Sequence, residues 1–150
     1  MRGPSRQGIL ITVSKLLYLA SQSPRRRQLL EQIGLKHELL LPGADEDAEA
    51  LEAVQADELP ETYCARVTAA KLDAALVRLA ARGLSPAPIL CADTTVAVDN
   101  LILGKPENDA DAARMLGLMS GRTHRVITAV AVADATRRAA TLNVSQVEFA

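Results

Sequence analysis

The residues that could bind an anion first appear in the segment Ser21-Gln-Ser-Pro-Arg-Arg. Ser23 is a favourable N-cap and Pro24 suits the first position of a helix. The free N–H groups and dipole of such a helix start favour an anion. Ser21, Arg25 and Arg26 would add hydroxyl and guanidinium donors that match phosphate oxygens. The segment therefore indicates either a phosphate site or an ordinary capped helix with its arginines in solvent.

A carboxylate that could hold a metal or accept a proton follows the apolar run Pro88–Ala92. We expect Asp93 at the carboxyl end of this strand, where ligands of open α/β sheets bind. There it could hold Mg²⁺ or take a proton from water. The alternative is that Asp93 only caps a turn.

A third set of charged residues is ambiguous when each is taken alone. Lys105 lies between Gly104 and Pro106, so its ammonium is either a rigidly placed phosphate ligand or an ordinary loop lysine. Arg66 and Lys71 lie on a predicted helix. Asp45 and Glu46 could supply a second carboxylate for a cation or simply be solvated. Together with the first two sites, these groups would suit hydrolysis of a phosphoanhydride with a divalent metal.

The elements that must position these residues alternate between strand and helix. The sequence predicts strands at Leu16–Ala20, His37–Leu41 and Pro88–Ala92, a hairpin around Asp99-Asn100, and helices at Pro24–Ile33, Pro60–Arg82 and from the Asn108 cap to Met119. The apolar faces expected on the last two helices are Tyr63, Val67, Ala70, Ala74, Val77 and Ala81, and Ala112, Met115, Leu116 and Met119. Period-two patterns at His124–Ala133 and Ala139–Phe149 predict a long antiparallel hairpin. The fold class is therefore α/β, with a mixed, twisted sheet flanked by helices that ends in this hairpin.

Composition limits the classes of protein to which the chain can belong. The 150 residues have a net charge of -1 and only 2% aromatics, which argues against a nucleic-acid polymer as the partner. No apolar run is long enough for a transmembrane helix. Cys64 and Cys91 lack metal or redox spacing and are expected to be buried in a cytoplasmic protein. His37 and His124 lack metal-ligand spacing too, so any metal would need oxygen ligands.

The chain is expected to form one domain over residues 15–150 after a flexible extension at residues 1–14. Its last residues still follow a strand pattern, so we expect the domain to be incomplete at its C-terminus. An edge-paired homodimer is a further possibility.

Five segments together resemble the Maf family of nucleoside triphosphate pyrophosphatases. They are Leu17 to Arg26, Tyr63-x-x-Arg66 with Lys71, Ala92-Asp-Thr-Thr-Val96, Leu103-Gly-Lys-Pro106, and Met115-Leu116 with Ser120-Gly121-x-x-His124-x-Val126-x-Thr128. The resemblance implies an inosine triphosphatase-like fold and cleavage between the α- and β-phosphates of a nucleoside triphosphate, with Mg²⁺ or Mn²⁺. The versions Ser-Pro-Arg-Arg and Ala-Asp-Thr are similar to the branch that acts on dTTP and UTP rather than on 7-methyl-GTP.

The resemblance also implies residue roles. Asp93 matches the family's proton acceptor, and Arg25 and Thr94 match positions linked to substrate choice. The positions near the phosphates or the metal are Ser21, Arg26, Glu46, Lys71 and Lys105, with Glu46 and Asp93 as the metal candidates. Whether Asp93 is the base or a metal ligand stays open. Family members continue with an Asp-Lys-Ala-Gly and Ile-Gln-Gly segment that is absent here, so the alternative is a nucleotide-binding or cell-division regulatory protein with impaired catalysis.

Overall fold

The structure is a computed structural model that describes residues 16–148. The predicted extension at residues 1–14 lies outside the described residues, as does Phe149 at the end of the predicted last strand. None of the helices in the described part of the chain is long and apolar enough to cross a membrane.

Six strands form one mixed sheet, which confirms the predicted fold class. They are β1 (Leu17–Leu19), β2 (His37–Leu39), β3 (Ile89–Val98), β4 (Leu101–Leu103), β5 (Thr123–Ala133) and β6 (Arg138–Glu148). The order is β2-β1-β3-β5-β6, with β4 paired to β3. β1 runs parallel to both β2 and β3, whereas β3 is antiparallel to β4 and β5. The long β5–β6 hairpin is also antiparallel, as predicted.

Three α-helices connect these strands: α1 (Pro24–Gln32), α2 (Pro60–Ala81) and α3 (Asp109–Met119), with a 3₁₀ helix at Glu49–Glu52. Local capping sets two of the starts. The Ser23 side chain accepts a hydrogen bond from the Arg26 backbone N–H at 3.4 Å, and Asn108 accepts one from the Asp111 N–H at 2.8 Å. Both caps are those that the sequence predicts.

Helix α2 packs on the sheet with a different face from the predicted one. Its buried residues are Pro60, Cys64, Val67, Thr68, Leu72, Ala75 and Arg78, of which only Val67 belongs to the predicted face. Val77 is 70% exposed. The prediction is wrong because the buried face includes the polar residues Thr68 and Arg78, which a search for apolar residues at helical spacing passes over. Thr68 donates its hydroxyl proton to the Cys64 carbonyl at 2.8 Å, so burial leaves that hydroxyl satisfied.

Helix α3 likewise does not bury its predicted apolar face. None of its residues is buried, and Leu116 is 55% exposed. The periodicity predicted the helix correctly, but burial depends on an opposing element, which periodicity does not report.

Strand β3 is one continuous strand, which corrects the position expected for Asp93. The sequence predicts a strand that ends at Ala92, with Asp93 beyond its tip. In the structure β3 pairs with β5 from Ile89 to Ala97, and Asp93 lies opposite Ala129 in mid-strand. Nine consecutive residue pairs with β5 keep β3 extended through the polar residues Asp93 to Thr95, where the sequence predicts a break.

The other edge of β3 is open at its centre. β1 pairs only with Ile89 and Leu90, and β4 pairs only with Val96 to Val98. Within residues 16–148, Cys91 to Thr95 therefore have no strand partner on that edge. This gap in the sheet exposes the middle of β3, including Asp93 and Thr94, to the space between β1 and β4.

Candidate functional site

A cavity of about 1020 Å³ lies beside the gap in the sheet. Its walls come from the segments that follow β1, β2 and β4, and from one face of α2. The residues lining it include five of the predicted site residues, namely Ser21, Arg26, Glu46, Lys71 and Lys105. Four separate parts of the chain thus bring these residues to one place.

One wall is the turn between β1 and α1. Arg26 donates from Nη1 to Ser21 Oγ at 3.0 Å and from Nη2 to Thr94 Oγ1 at 3.3 Å. Thr94 Oγ1 also lies 3.5 Å from Thr128 Oγ1 on β5. The guanidinium therefore ties the start of α1 to the open part of β3.

Asp93 and Thr94 point to opposite faces of β3, as successive strand residues do. Asp93 faces α2, where its Oδ1 lies 3.6 Å from Lys71 Nζ and its side chain is 21% exposed. Cys64 of α2 donates its Sγ–H to the Asp93 backbone carbonyl at 3.6 Å. The helix thus contacts Asp93 through both its side chain and its backbone.

Lys71 lies between two carboxylates. Its Nζ is 3.0 Å from Glu52 Oε2 of the 3₁₀ helix, closer than it is to Asp93. The backbone of Glu52 is held separately, because Tyr63 donates its hydroxyl proton to the Glu52 carbonyl at 2.6 Å. Burial, followed by the negative charge of Asp93, raises the pKa of Tyr63 above its usual range, so this phenol stays a donor.

Glu46 forms a bidentate ion pair with Arg78. Arg78 donates from Nε and Nη2 to the two carboxylate oxygens at 2.8 and 2.7 Å, and from Nη1 to the Leu40 carbonyl at 2.9 Å. The Gly43 N–H donates to the same carboxylate at 3.1 Å. These bonds, above all those from Arg78, lower the pKa of Glu46 to about 2.

The described residues do not form a metal site from protein ligands alone. No group of three or more His, Cys, Asp or Glu side chains that could hold a metal occurs among residues 16–148. Glu46 fits the role of a metal ligand poorly, since Arg78 already binds both of its oxygens. Asp93 fits the role of a single protein ligand, because Mg²⁺ often takes one or two carboxylates and completes its shell with phosphate oxygens and water.

Apart from Lys105 and the four that line the cavity with it, the predicted site residues are not among the lining residues, and this includes Asp93 and Thr94. Lys105 lines the cavity from the loop after β4. Arg25 is exposed on α1 and does not line it. Asp45 lines a smaller cavity of about 480 Å³ beside Arg82. Arg66 forms an ion pair with Glu58 and stacks on the Tyr63 ring, so it holds the loop before α2.

The sequence analysis missed Glu52 and Arg78, the lining residues that form ion pairs with the predicted residues Lys71 and Glu46. Lys71, Ala74 and Arg78 follow one another at i, i+3 and i+7, so they line one face of α2, and this spacing could have identified Arg78 once Lys71 was suspected. No sequence signal distinguishes Glu52 from the other acidic residues of its segment.

The lining charges are mixed rather than basic. Four residues are cationic, Arg26, Lys71, Arg78 and Lys105, and five are acidic, Glu46, Asp47, Glu49, Glu52 and Glu107. A bare polyanion would meet as much repulsion as attraction there, whereas an anion carrying a cation would be better matched.

Comparison with known proteins identifies the family. The model of a family described as Maf-like protein matches residues 16–150. The chain belongs to the Maf-like protein family. It is 60% identical over 137 residues to a dTTP/UTP pyrophosphatase of Albidiferax ferrireducens, covering 91% of this chain and 68% of that protein. A dTTP/UTP pyrophosphatase of Burkholderia pseudomallei is 61% identical over 120 residues, which are 80% of this chain and 57% of the relative.

These Maf-like relatives are longer than the chain, which spans about three-fifths to two-thirds of their length. A solved structure supports the fold. The nucleoside-triphosphatase, a dITP/XTP pyrophosphatase, of Mycobacterium abscessus aligns with a TM-score of 0.54 and 15% identity over 88% of this chain and 73% of its own. At that identity the likeness concerns the fold alone, and it agrees with the predicted inosine triphosphatase-like architecture.

Proposed function

We propose that this Maf-like chain carries the catalytic site of a nucleoside triphosphate pyrophosphatase that converts dTTP or UTP to the nucleoside monophosphate and pyrophosphate. The observation that carries the proposal is that Asp93, in the open part of β3, lies beside Lys71, and that Lys71 lines the same cavity as the phosphate-matching cations Arg26 and Lys105. The names of the relatives at about 60% identity support the substrate class.

The chemistry requires a water molecule to attack the α-phosphorus. In the proposed reaction, Asp93 accepts a proton from that water while the water oxygen forms a bond to the α-phosphorus. The bond from the α-phosphorus to the bridging oxygen breaks, and this oxygen leaves with pyrophosphate. The leaving group gains negative charge, and in this scheme Arg26, Lys71 and Lys105 would neutralise it.

A divalent cation, Mg²⁺ or Mn²⁺, is proposed to enter bound to the nucleotide. The mixed lining charge supports this mode of entry, with Asp93 as the one protein ligand proposed. The cation would neutralise phosphate charge when bound. Glu46 is not needed as a ligand in this scheme, since its ion pair with Arg78 holds the segment that walls the cavity.

The proposal extends to substrate choice and to the state of the protein. Thr94, which Arg26 contacts, and Arg25 on α1 are proposed to affect the choice of base. The two free, buried cysteines support a cytoplasmic location. The exposed edge strand β6 supports an edge-paired homodimer.

The function is tested by measuring pyrophosphate release by the purified chain from dTTP, UTP, dATP, GTP and 7-methyl-GTP, each with and without Mg²⁺ or Mn²⁺. We expect release from dTTP or UTP, and only with a cation. A parallel calorimetric titration with dTTP separates the alternative: saturable binding without product would indicate a nucleotide-binding protein and contradict the proposed enzyme.

A further inference from the structure

Glu52 and Lys71 form an ion pair that a substrate phosphate would have to disturb. The ammonium of Lys71 lines the cavity and is the cation nearest to Asp93 among the contacts described above. In the structure its shorter ion-pair distance, 3.0 Å, is to Glu52. With two carboxylates beside it, the positive charge of Lys71 is more than compensated before any phosphate arrives.

The two ends of this ion pair differ in how firmly they are held. The Lys71 side chain is 24% exposed, whereas the Glu52 side chain is 51% exposed. The backbone around Glu52 is fixed to α2, because Tyr63 donates to the Glu52 carbonyl and Arg66 donates to the Ala53 carbonyl at 2.8 Å. The Glu52 carboxylate can therefore swing into solvent while its backbone stays in place.

We propose that Glu52 is a positioning residue. It holds the Lys71 ammonium when no substrate is bound, and a phosphate of the substrate displaces the Glu52 carboxylate from that ammonium. This inference rests on the proposed function, since it assigns Lys71 to the triphosphate. An exposed carboxylate competes with a phosphate for the same ammonium, so the affinity for anions is lower than Lys71 alone would give. When no substrate is bound, the Glu52 carboxylate also prevents Lys71 from pairing with Asp93 alone.

The experiment measures binding of inorganic pyrophosphate to the whole chain by isothermal titration calorimetry, with Mg²⁺ present at one fixed concentration for every variant. Glu52→Gln is expected to bind pyrophosphate about two- to fivefold more tightly than the wild type, the range that loss of one exposed ion pair allows. The matched control is Glu49→Gln, which removes the same charge from the same cavity lining and is expected to change the dissociation constant less than Glu52→Gln does.

A double-mutant cycle shows whether the effect acts through Lys71. In a Lys71→Met background, Glu52→Gln is expected to lose its gain in affinity. In turnover of dTTP, Glu52→Gln is expected to lower KM while kcat stays within about threefold of wild type. Glu52→Asp keeps a carboxylate that competes with phosphate, so its KM is expected to lie between those of Glu52→Gln and the wild type. Thermal unfolding checks that each variant is folded.

Three results would overturn the role of Glu52: unchanged or weaker binding by Glu52→Gln, an equal gain from Glu49→Gln, or a gain that persists without Lys71. If any of these occurs while the wild type still releases pyrophosphate from dTTP, the proposed function stands. If no variant binds pyrophosphate and the wild type releases none from dTTP, both the role of Glu52 and the proposed function fail.

Discussion

Lys71 Nζ lies 3.6 Å from Asp93 Oδ1, across the interface between α2 and the open part of β3. This contact joins α2 to the open part of β3 and places a cation beside the carboxylate proposed as the base. An ammonium in this position can stabilise charge that develops on a departing phosphate without blocking the second carboxylate oxygen.

Replacing Lys71 tests whether its charge serves the reaction. Lys71→Met keeps much of the side-chain length but removes the ammonium, so kcat/KM for dTTP is expected to fall about 10²-fold or more. Steady-state pyrophosphate release measures the change. Lys36→Met is the control, because Lys36 is exposed and lies outside the cavity lining. An equal loss in both variants would contradict the assignment.

Replacing Arg26 tests the role of the guanidinium that donates to both Ser21 and Thr94. Lysine cannot donate to both hydroxyls and to a phosphate with the planar geometry of a guanidinium, so Arg26→Lys is expected to raise KM for dTTP about tenfold. Arg27→Lys changes the next residue of α1, which is exposed and outside the cavity lining, and is expected to leave KM within twofold. An unchanged KM in Arg26→Lys would show that the Arg26 guanidinium holds Ser21 and Thr94 but does not bind the substrate.

The ion pair of Glu46 with Arg78 predicts a pH-dependent contribution to stability. The pKa of Glu46 is lowered from 4.5 to about 2, so its charged form stabilises the folded state fully above pH 4.5. That contribution is lost as the pH falls through 4.5 towards 2. Urea unfolding should show Glu46→Gln less stable than wild type by about 1–3 kcal/mol at pH 7, with the difference shrinking at pH 3.

A surface ion pair provides the control for that measurement. Arg114→Met removes the partner of Asp111 on α3, where Arg114 is 57% exposed. Such a pair is expected to contribute less than about 1 kcal/mol at any pH. A difference for Glu46→Gln that stays constant from pH 7 to pH 3 would contradict the role of the Glu46 charge.

The two cysteines are expected to resist thiol reagents in the folded protein. Burial raises the pKa of Cys64 and raises that of Cys91 to about 11, so neither forms a thiolate at pH 8. Titration with a coloured aromatic disulfide should detect neither thiol in native buffer and both in denaturant. Rapid reaction of one thiol in native buffer would show that its site opens to solvent.

The sequence predicts those parts of the fold that depend on neighbours along the chain. Ser23 and Asn108 cap helices through bonds to residues three positions away, and both caps are confirmed. The hairpin turn at Asp99-Asn100 also follows from local residue types, and Asp99 adopts a positive φ of 54° there.

Features that depend on distant partners were predicted less well. Asp93 is in mid-strand because β5 pairs with it, and Arg78 is buried because Glu46, 32 residues earlier, accepts its bonds. Neither partner is evident from spacing along the chain. The candidate site was therefore located by its motifs, whereas the open edge of β3 and the contacts of Lys71 required the structure.

The role of Asp93 as the base is tested most directly by one pair of variants. Asp93→Asn keeps the shape of the side chain but cannot accept a proton from water. Pyrophosphate release from dTTP is therefore expected to fall at least about 10²-fold. Asp99→Asn makes the same chemical change in the β3–β4 turn, where asparagine tolerates the positive φ, and is expected to keep the wild-type rate within about twofold. A folded Asp93→Asn variant that retains the wild-type rate within about tenfold would contradict the assignment.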